Sequence, residues 1–504
     1  MRRSFSRRLR SFAGLASLVL ATVLTGCPNS PPPAAPTPPP HDEPAETAPA
    51  APTADSPQSE AAPSSGPNGP ILPPSPATNG SAALPAQSSQ PVPDTGVAAT
   101  PTRKLPPLPD PYAVPFVRAL DSGRAAEGWI SLFDGESLMG WRRHDNGADW
   151  QVVDGVITAS EGPIDLLCTA VPFANYELEI DFRIATDGNS GVFLRTNDRP
   201  GKVETDCYEL NIADSQPQGF TTGALVGRQA TTQPITGSGG WKTFHVTAEG
   251  NHFTVYLDGN LVLDYTDDTD APRASGLIGL QKNAGKVEFR NIFLKPLEMT
   301  PLFNGKDLTG WHVAPGGASE FTAVDGTIQV VNGRGFLETD GEWSNFIFQA
   351  ESRTNAPELN SGYFFRGPTI VADVNGKKDG NCHGYEAQIN NALIDGDRKQ
   401  PKDFGTGAIY RRVKARYVVP NDEDWFTTTL VADGPQICTW IDGYMTVDWR
   451  DDRPVAENGR NGQYTGPGHI SLQGHDPTTT LNFRNLRVAE LPAPSPRPSA
   501  GTNN

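Results

Sequence analysis

Three short stretches carry side chains whose types and spacing could move protons and hold a polar ligand. "NSGYFFR" (360–366) ends in an arginine, "GYEAQINN" (384–391) centres on a glutamate, and "GHISLQGH" (468–475) ends in a histidine. A carboxylate and an imidazole can serve as general acid and base, and a guanidinium can stabilise charge developing on an oxygen. Each stretch alternates, the period of a half-buried β-strand. On that period Tyr363, Phe365, Tyr385, Ala387, Ile389, Ile470 and Leu472 turn to a core. Phe364, Arg366, Glu386, Gln388, Asn390, His469, Ser471, Gln473 and His475 turn the other way. Side by side on a concave sheet, this second set makes a trough of matched donors and acceptors, as sugar hydroxyls require, with Phe364 as a stacking surface. The competing expectation is an ordinary solvated sheet face. Arg366 and Glu386 would then be a cross-strand ion pair, and His475 would cap a loop.

The elements that position these residues occur twice. "LFDGESLMGW" (132–141) matches "LFNGKDLTGW" (302–311), "NSGVFLR" (189–195) matches "NSGYFFR", and "YELNI" (208–212) matches "YEAQI" (385–389). "TGAL" (222–225) matches "TGAI" (406–409), "YLDG" (256–259) matches "WIDG" (440–443), and "GLIGLQ" (276–281) matches "GHISLQ" (468–473). The order is constant while loops lengthen in the second copy, so a whole domain is duplicated. The spacing predicts sandwiches over 121–298 and 299–492, each long enough for its own core. Alternation of period two, and Asp-Gly between apolar runs, predict strands joined by tight hairpins. The fold class expected is all-β, two tandem two-sheet sandwiches of jelly-roll type.

Each repeat resembles the 3-keto-disaccharide hydrolase domain on these landmarks, "LFDG…L.GW", "NSG.F.R", "YE.QI", "TGA", "LDG" and the closing "G.I.LQ…FRN". The resemblance covers nearly all of 128–297 and 300–491. It implies a concanavalin-like β-sandwich and action on 3-keto-glycosides. A conventional glycosidase needs two carboxylates flanking the bond, whereas each repeat offers one on the inferred face. A 3-keto group acidifies the C2 hydrogen, so one base can start an elimination that expels the C1 substituent before water adds back. The roles expected are Glu386 and His475 as base and acid, in either order, and Arg366 beside the enolate oxygen. Gln388, Asn390, Gln473 and Phe364 would hold the substrate. No nicotinamide motif is present, so another enzyme must make the keto group. A divalent metal ion could replace Arg366 as electrophile, with His383, Glu386 and His475 as ligands, although His383 lies an odd number of residues from Glu386 and so on the other strand face. The first repeat has Arg195, Glu209, Asn211 and Gln281 at the corresponding positions but "KNAG" (282–285) where the second has "GHDP" (474–477). The second repeat is therefore the expected catalytic unit. A non-catalytic carbohydrate-binding envelope lipoprotein is the alternative.

The remainder of the chain sets the context. Residues 1–26 combine an Arg-rich start with an apolar run ending in "LTGC" (24–27), which resembles a bacterial lipobox. The expectation is an exported protein, anchored to the membrane of the cell envelope by lipid on Cys27. Residues 27–120 are rich in Pro, Ala and Ser and cannot bury enough surface to order themselves, so a disordered tether is expected there, and a disordered tail over 493–504. With a formal charge of −17 over 504 residues and no basic stripe, the chain would repel a nucleic-acid backbone. Cys168, Cys207, Cys382 and Cys438 form no CxxC pairs. A zinc ribbon is thus not expected, and at most one disulfide per domain is.

Overall fold

The structure, a computed structural model, describes residues 120–144, 147–216, 218–371 and 381–492. The expected leader, tether, Cys27 and C-terminal tail lie outside these residues.

The regular structure of the described residues is nearly all β, with two short helices, and builds two sandwiches in tandem. In the first, a sheet of Asn260–Thr266, His252–Leu257, Lys242–Glu249, Tyr176–Ile184, Val287–Pro296, Val156–Ala159 and Gln151–Val153, in that spatial order, carries Ile130–Ser131 on its long fifth strand. It covers a five-stranded sheet of Trp141–Arg143, Asp165–Thr169, Leu277–Lys282, Asn189–Thr196 and Tyr208–Ala213. The second sandwich repeats both sheets strand for strand. Its five-stranded sheet runs Trp311–Val313, Gly335–Thr339, His469–Gly474, Ser361–Gly367, Tyr385–Ile389, all antiparallel. A hairpin of Leu393–Ile394 and Asp397–Pro401 occurs in the second copy alone among the described residues.

Alternation explains the layering. In Tyr176–Ile184, "YELEIDFRI", the even-numbered residues are buried and the odd-numbered ones only partly so, and Tyr176, Leu178, Ile180 and Phe182 enter the first core. Tyr363, Phe365, Tyr385, Ala387, Ile389, Ile470 and Leu472 enter the second core.

The two sandwiches share a seam. His252–Leu257 ("HFTVYL") alternates with exposure on its outer face, whereas its counterpart Gln436–Ile441 ("QICTWI") is buried at all positions. Ile437 and Ile441 fill the second core, while Cys438 and Trp440, on the opposite face, join the first core together with Ile347, Val431 and Met445. Trp440 Nε1 donates to the Ser131 carbonyl at 3.0 Å. The Arg142 guanidinium grips Asp448 through two bonds of 2.5 and 2.7 Å, and Arg416 pairs with Asp134 at 2.7 Å. Cys168, Cys207, Cys382 and Cys438 are buried free thiols.

Candidate functional site

The motif "NSGYFFR" divides its labour residue by residue. Ser361 Oγ donates to the Gln473 carbonyl at 2.7 Å, locking its strand to the one that carries the histidine. Gly362 lies diagonally across from Glu386, and a Cβ there would stand 2.8 Å from Glu386 Oε1. The glycine therefore opens the slot that the glutamate occupies. Phe364 sits directly opposite Glu386 and packs edge-on against Phe336, ring centroids 5.1 Å apart. Asn360 accepts from Gln388 Nε2 at 3.0 Å. The first copy keeps the design: Ser190 donates to the Gln281 carbonyl, and a Cβ on Gly191 would meet Glu209 at 3.1 Å.

Arg366 departs from its expected place. Pairing with His469–Gly474 shifts register between Phe364 and Gly367, and Arg366 takes φ +50°. This bulge breaks the alternation that placed Arg366 beside Glu386. The guanidinium is fully buried and donates to the carbonyls of Ser344, Gly434 and Tyr464 and to Asn345 Oδ1. Arg195 does the same with Ala174, Gly250, Arg273 and Asn175. Both arginines clamp loops at one end of a sandwich, and neither the oxyanion role nor the ion pair with Glu386 fits that position. Asn390 is also elsewhere: its Oδ1 accepts from the Ala392 amide and its own amide donates to Thr406 Oγ1, closing the strand's end. Gln388 lies buried behind the surface, holding Asn360.

Glu386, Phe364, Gln473 and His475 do converge, on a cavity of about 620 Å³, a size suited to a small ligand. Burial first, and the charge of Asp403 second, push the Glu386 carboxyl up to about 8, against the opposing pull of Arg411 and Arg460. His475 is half exposed, and its Nδ1 lies 2.9 Å from Asp476 Oδ1. The pair lies at ion-pair distance without hydrogen-bond geometry, so Asp476 stabilises an imidazolium by its charge. Gln473 Oε1 is buried without a partner in the protein, so an acceptor stands ready for a ligand donor.

The cavity walls were not legible in the strand pattern. Tyr410, Arg411 and Arg412 follow "TGAI", Arg334 ends the turn that crosses from the large sheet to the small one, Arg460 and Asn461 come from a loop with no counterpart in the first copy, and Asn381 precedes the glutamate strand. One signal was available: "TGAIYRRV" against "TGALVGRQ" places two consecutive arginines beside a motif already known to repeat.

Two matches to the 3-keto-alpha-glucoside-1,2-lyase-like domain cover residues 128–295 and 298–489. The chain belongs to this family. A curated relative, the 3-keto-disaccharide hydrolase of Bacteroides thetaiotaomicron, is 34% identical over 79 residues, 14% of this chain. The chain matches 27% of that relative's length. Among solved structures, a proposed glycosyl hydrolase from Parabacteroides distasonis is 22% identical, covering 36% of this chain and 99% of its own, with a TM-score of 0.32. A carbohydrate-binding module from Bacillus subtilis is 16% identical, covering 31% of this chain and 96% of its own, with a TM-score of 0.24.

The two lyase-like domains differ at the site. In the first, Glu209 is buried and pushed up to about 7, opposed by a hydrogen bond with Gln281. Phe193 and Gln281 line a cavity of about 300 Å³. Asn211 Nδ2 donates to the Phe220 carbonyl and so is committed to the protein. By strand register Ile164 stands where the second lyase-like domain has Arg334, and Asn283 stands where it has His475. Among the described residues no group of three or more His, Cys, Asp or Glu side chains is arranged to hold a metal ion. His383, Glu386 and His475 therefore do not form the ligand set considered from the sequence.

Proposed function

We propose that the second domain cleaves the glycosidic bond of a 3-keto-glycoside by elimination across C1 and C2, followed by hydration. His475 Nε2 takes the C2 proton, with Asp476 stabilising the imidazolium that forms. The electron pair left on C2 delocalises onto the C3 oxygen, where a guanidinium of the cavity wall, in place of Arg366, stabilises the enolate. As the enolate collapses, the C1–O bond breaks and the protonated Glu386 gives its proton to the leaving oxygen. Water then adds to C1, and a proton returns to C2. The observation that carries this reading is the convergence on one cavity of two groups fit for opposite duties. One is an imidazole beside a carboxylate, and the other a carboxyl that burial keeps protonated near neutrality. The family description, which speaks of a 1,2-lyase, supports the same bond change.

The first domain, with Asn283 in place of His475 and a smaller cavity, fits a binding or packing role better than catalysis. The lipobox-like ending at Cys27 and the Pro-rich stretch after it support an exported, lipid-anchored form.

The test is aglycone release from 4-nitrophenyl 3-keto-glucosides by the full chain. Glu386→Gln is expected to lower kcat at least ~100-fold, with Glu209→Gln within about twofold of wild type. Absence of release from every 3-keto-glycoside tried, neutral or anionic, would overturn the enzymatic reading and favour a carbohydrate-binding protein. Equal losses from both variants would overturn the division between domains.

A further inference from the structure

The cavity holds more positive charge than the proposed reaction needs. Arg334, Arg411, Arg412 and Arg460 line it together, in a chain whose formal charge is −17. Among the described residues none of the four is paired with a carboxylate. Arg412 donates only to the Arg411 and Arg460 carbonyls, and Arg411 rests beside the Tyr410 ring, 5.2 Å from its centroid. An enolate develops a single negative charge, for which one guanidinium suffices. Crowding three further cations together with no carboxylate in direct contact costs stability, and guanidinium groups offer donors alone. Asn360, Asn461 and Gln473 on the same wall suit sugar hydroxyls, but a neutral sugar gives the surplus guanidinium groups no anionic partner.

The backbone shows that the charge is built in. Arg411 takes φ +58°, the left-handed region, where the first domain has Gly227 at φ +72°. A side chain at such a position costs about 1 kcal/mol or more, and the second domain bears that cost to place an arginine on the cavity. Arg460 stands on a turn that Arg453 pins through the Gly459 and Gly462 carbonyls, and its amide donates to the His383 carbonyl at 3.0 Å. The first domain keeps Arg228 at the place of Arg412, where it donates to the Val203 and Glu204 carbonyls, but has Gly227 at the place of Arg411 and Ile164 at that of Arg334, and Arg199 and Lys202 are the cations that line its smaller cavity.

We propose that the second domain is built for a glycoside bearing an anionic substituent, a carboxylate or a sulfate ester, which the surplus guanidinium groups grip while one serves the enolate. This rests on the catalytic reading only for the identity of the cavity as the site. Charge-assisted, forked contacts between arginine and oxyanion are short and geometrically selective.

Binding to the full chain is measured by calorimetry with 4-nitrophenyl glucuronide, 4-nitrophenyl glucoside 6-sulfate and 4-nitrophenyl glucoside, none of which carries the 3-keto group. At least one anionic probe is expected to bind about tenfold or more tighter than the neutral one, and the preferred probe distinguishes carboxylate from sulfate. Arg411→Gln and Arg460→Gln should each erase most of that preference, as should raising salt from about 0.05 to 0.5 M. Thermal melts of both variants check that they fold. Equal or weaker binding of both anionic probes overturns the inference, as does a preference that survives both substitutions. A clear preference in a chain that releases no aglycone from any 3-keto substrate, neutral or anionic, would instead overturn the catalytic reading and leave this inference standing.

Discussion

At the residue scale, the site turns on a glycine as much as on the acid. Gly362 has no left-handed backbone, and its role is space: the Glu386 carboxyl occupies the volume a Cβ would claim. Gly362→Ala should therefore leave the strand folded, with a melting temperature near that of wild type, yet push the carboxyl from its slot. A displacement on the order of 1 Å can cost up to about a hundredfold in rate, so kcat should fall at least ~10-fold in the aglycone assay. The pH dependence follows from the direction of the shift. Burial raises Glu386 to about 8, so its acid form persists through neutrality and is lost as pH rises through that value. The kcat/KM profile of wild type should fall on an alkaline limb near pH 8, and Glu386→Gln should lack that limb. A profile flat to pH 10 would remove Glu386 as the acid and return it to holding a hydroxyl.

At the element scale, strand alternation carried most of the reading and failed where the strands stop being regular. Tyr363, Phe365, Ala387 and Leu472 lie in the core because period two holds there. Arg366 was misplaced because one bulge turns its side chain into the end of the sandwich, and a bulge leaves no mark in a polar-apolar pattern. Asn390 was misplaced because it closes its strand rather than belonging to its face. Arg334, Arg411 and Arg460 went unread because turns and loops bring them to the cavity, and these are the parts that change between copies. The identical clamps of Arg195 and Arg366 make a prediction for the elements they tie. Lysine cannot reach four acceptors with one ammonium, so Arg366→Lys and Arg195→Lys should each cost about 3 kcal/mol or more. Spread over two domains that melt as one unit, that is a fall in Tm of about 4 °C. An unchanged melting temperature for Arg366→Lys with a large loss of kcat would restore the oxyanion role to Arg366.

At the scale of the whole molecule, the question is why the first domain is retained when it has Asn283, Gly227 and Ile164 where the second has His475, Arg411 and Arg334. The seam offers a physical answer. The strand Gln436–Ile441 is apolar on both faces because its outer face completes the first domain's core, whereas His252–Leu257 turns Thr254 and Tyr256 outward. Without the first domain, Trp440, Cys438 and Met445 would lie exposed on a flat sheet face, the kind of surface that drives association. Two uncoupled sandwiches melt in two transitions, whereas sandwiches joined by a core-like seam melt as one. Scanning calorimetry of the full chain should show a single transition for the two domains. Trp440→Ala removes a buried ring and its bond to Ser131, at a cost of about 3–5 kcal/mol. Joined to Arg142→Ala, which also frees Asp448, it should split the melt in two. Below the first transition, aglycone release should stay within about twofold of wild type, because the seam lies on the large sheet and the cavity on the small one. Two transitions in the wild-type chain would show that the domains are independent, and the first would then need a ligand of its own to explain its presence.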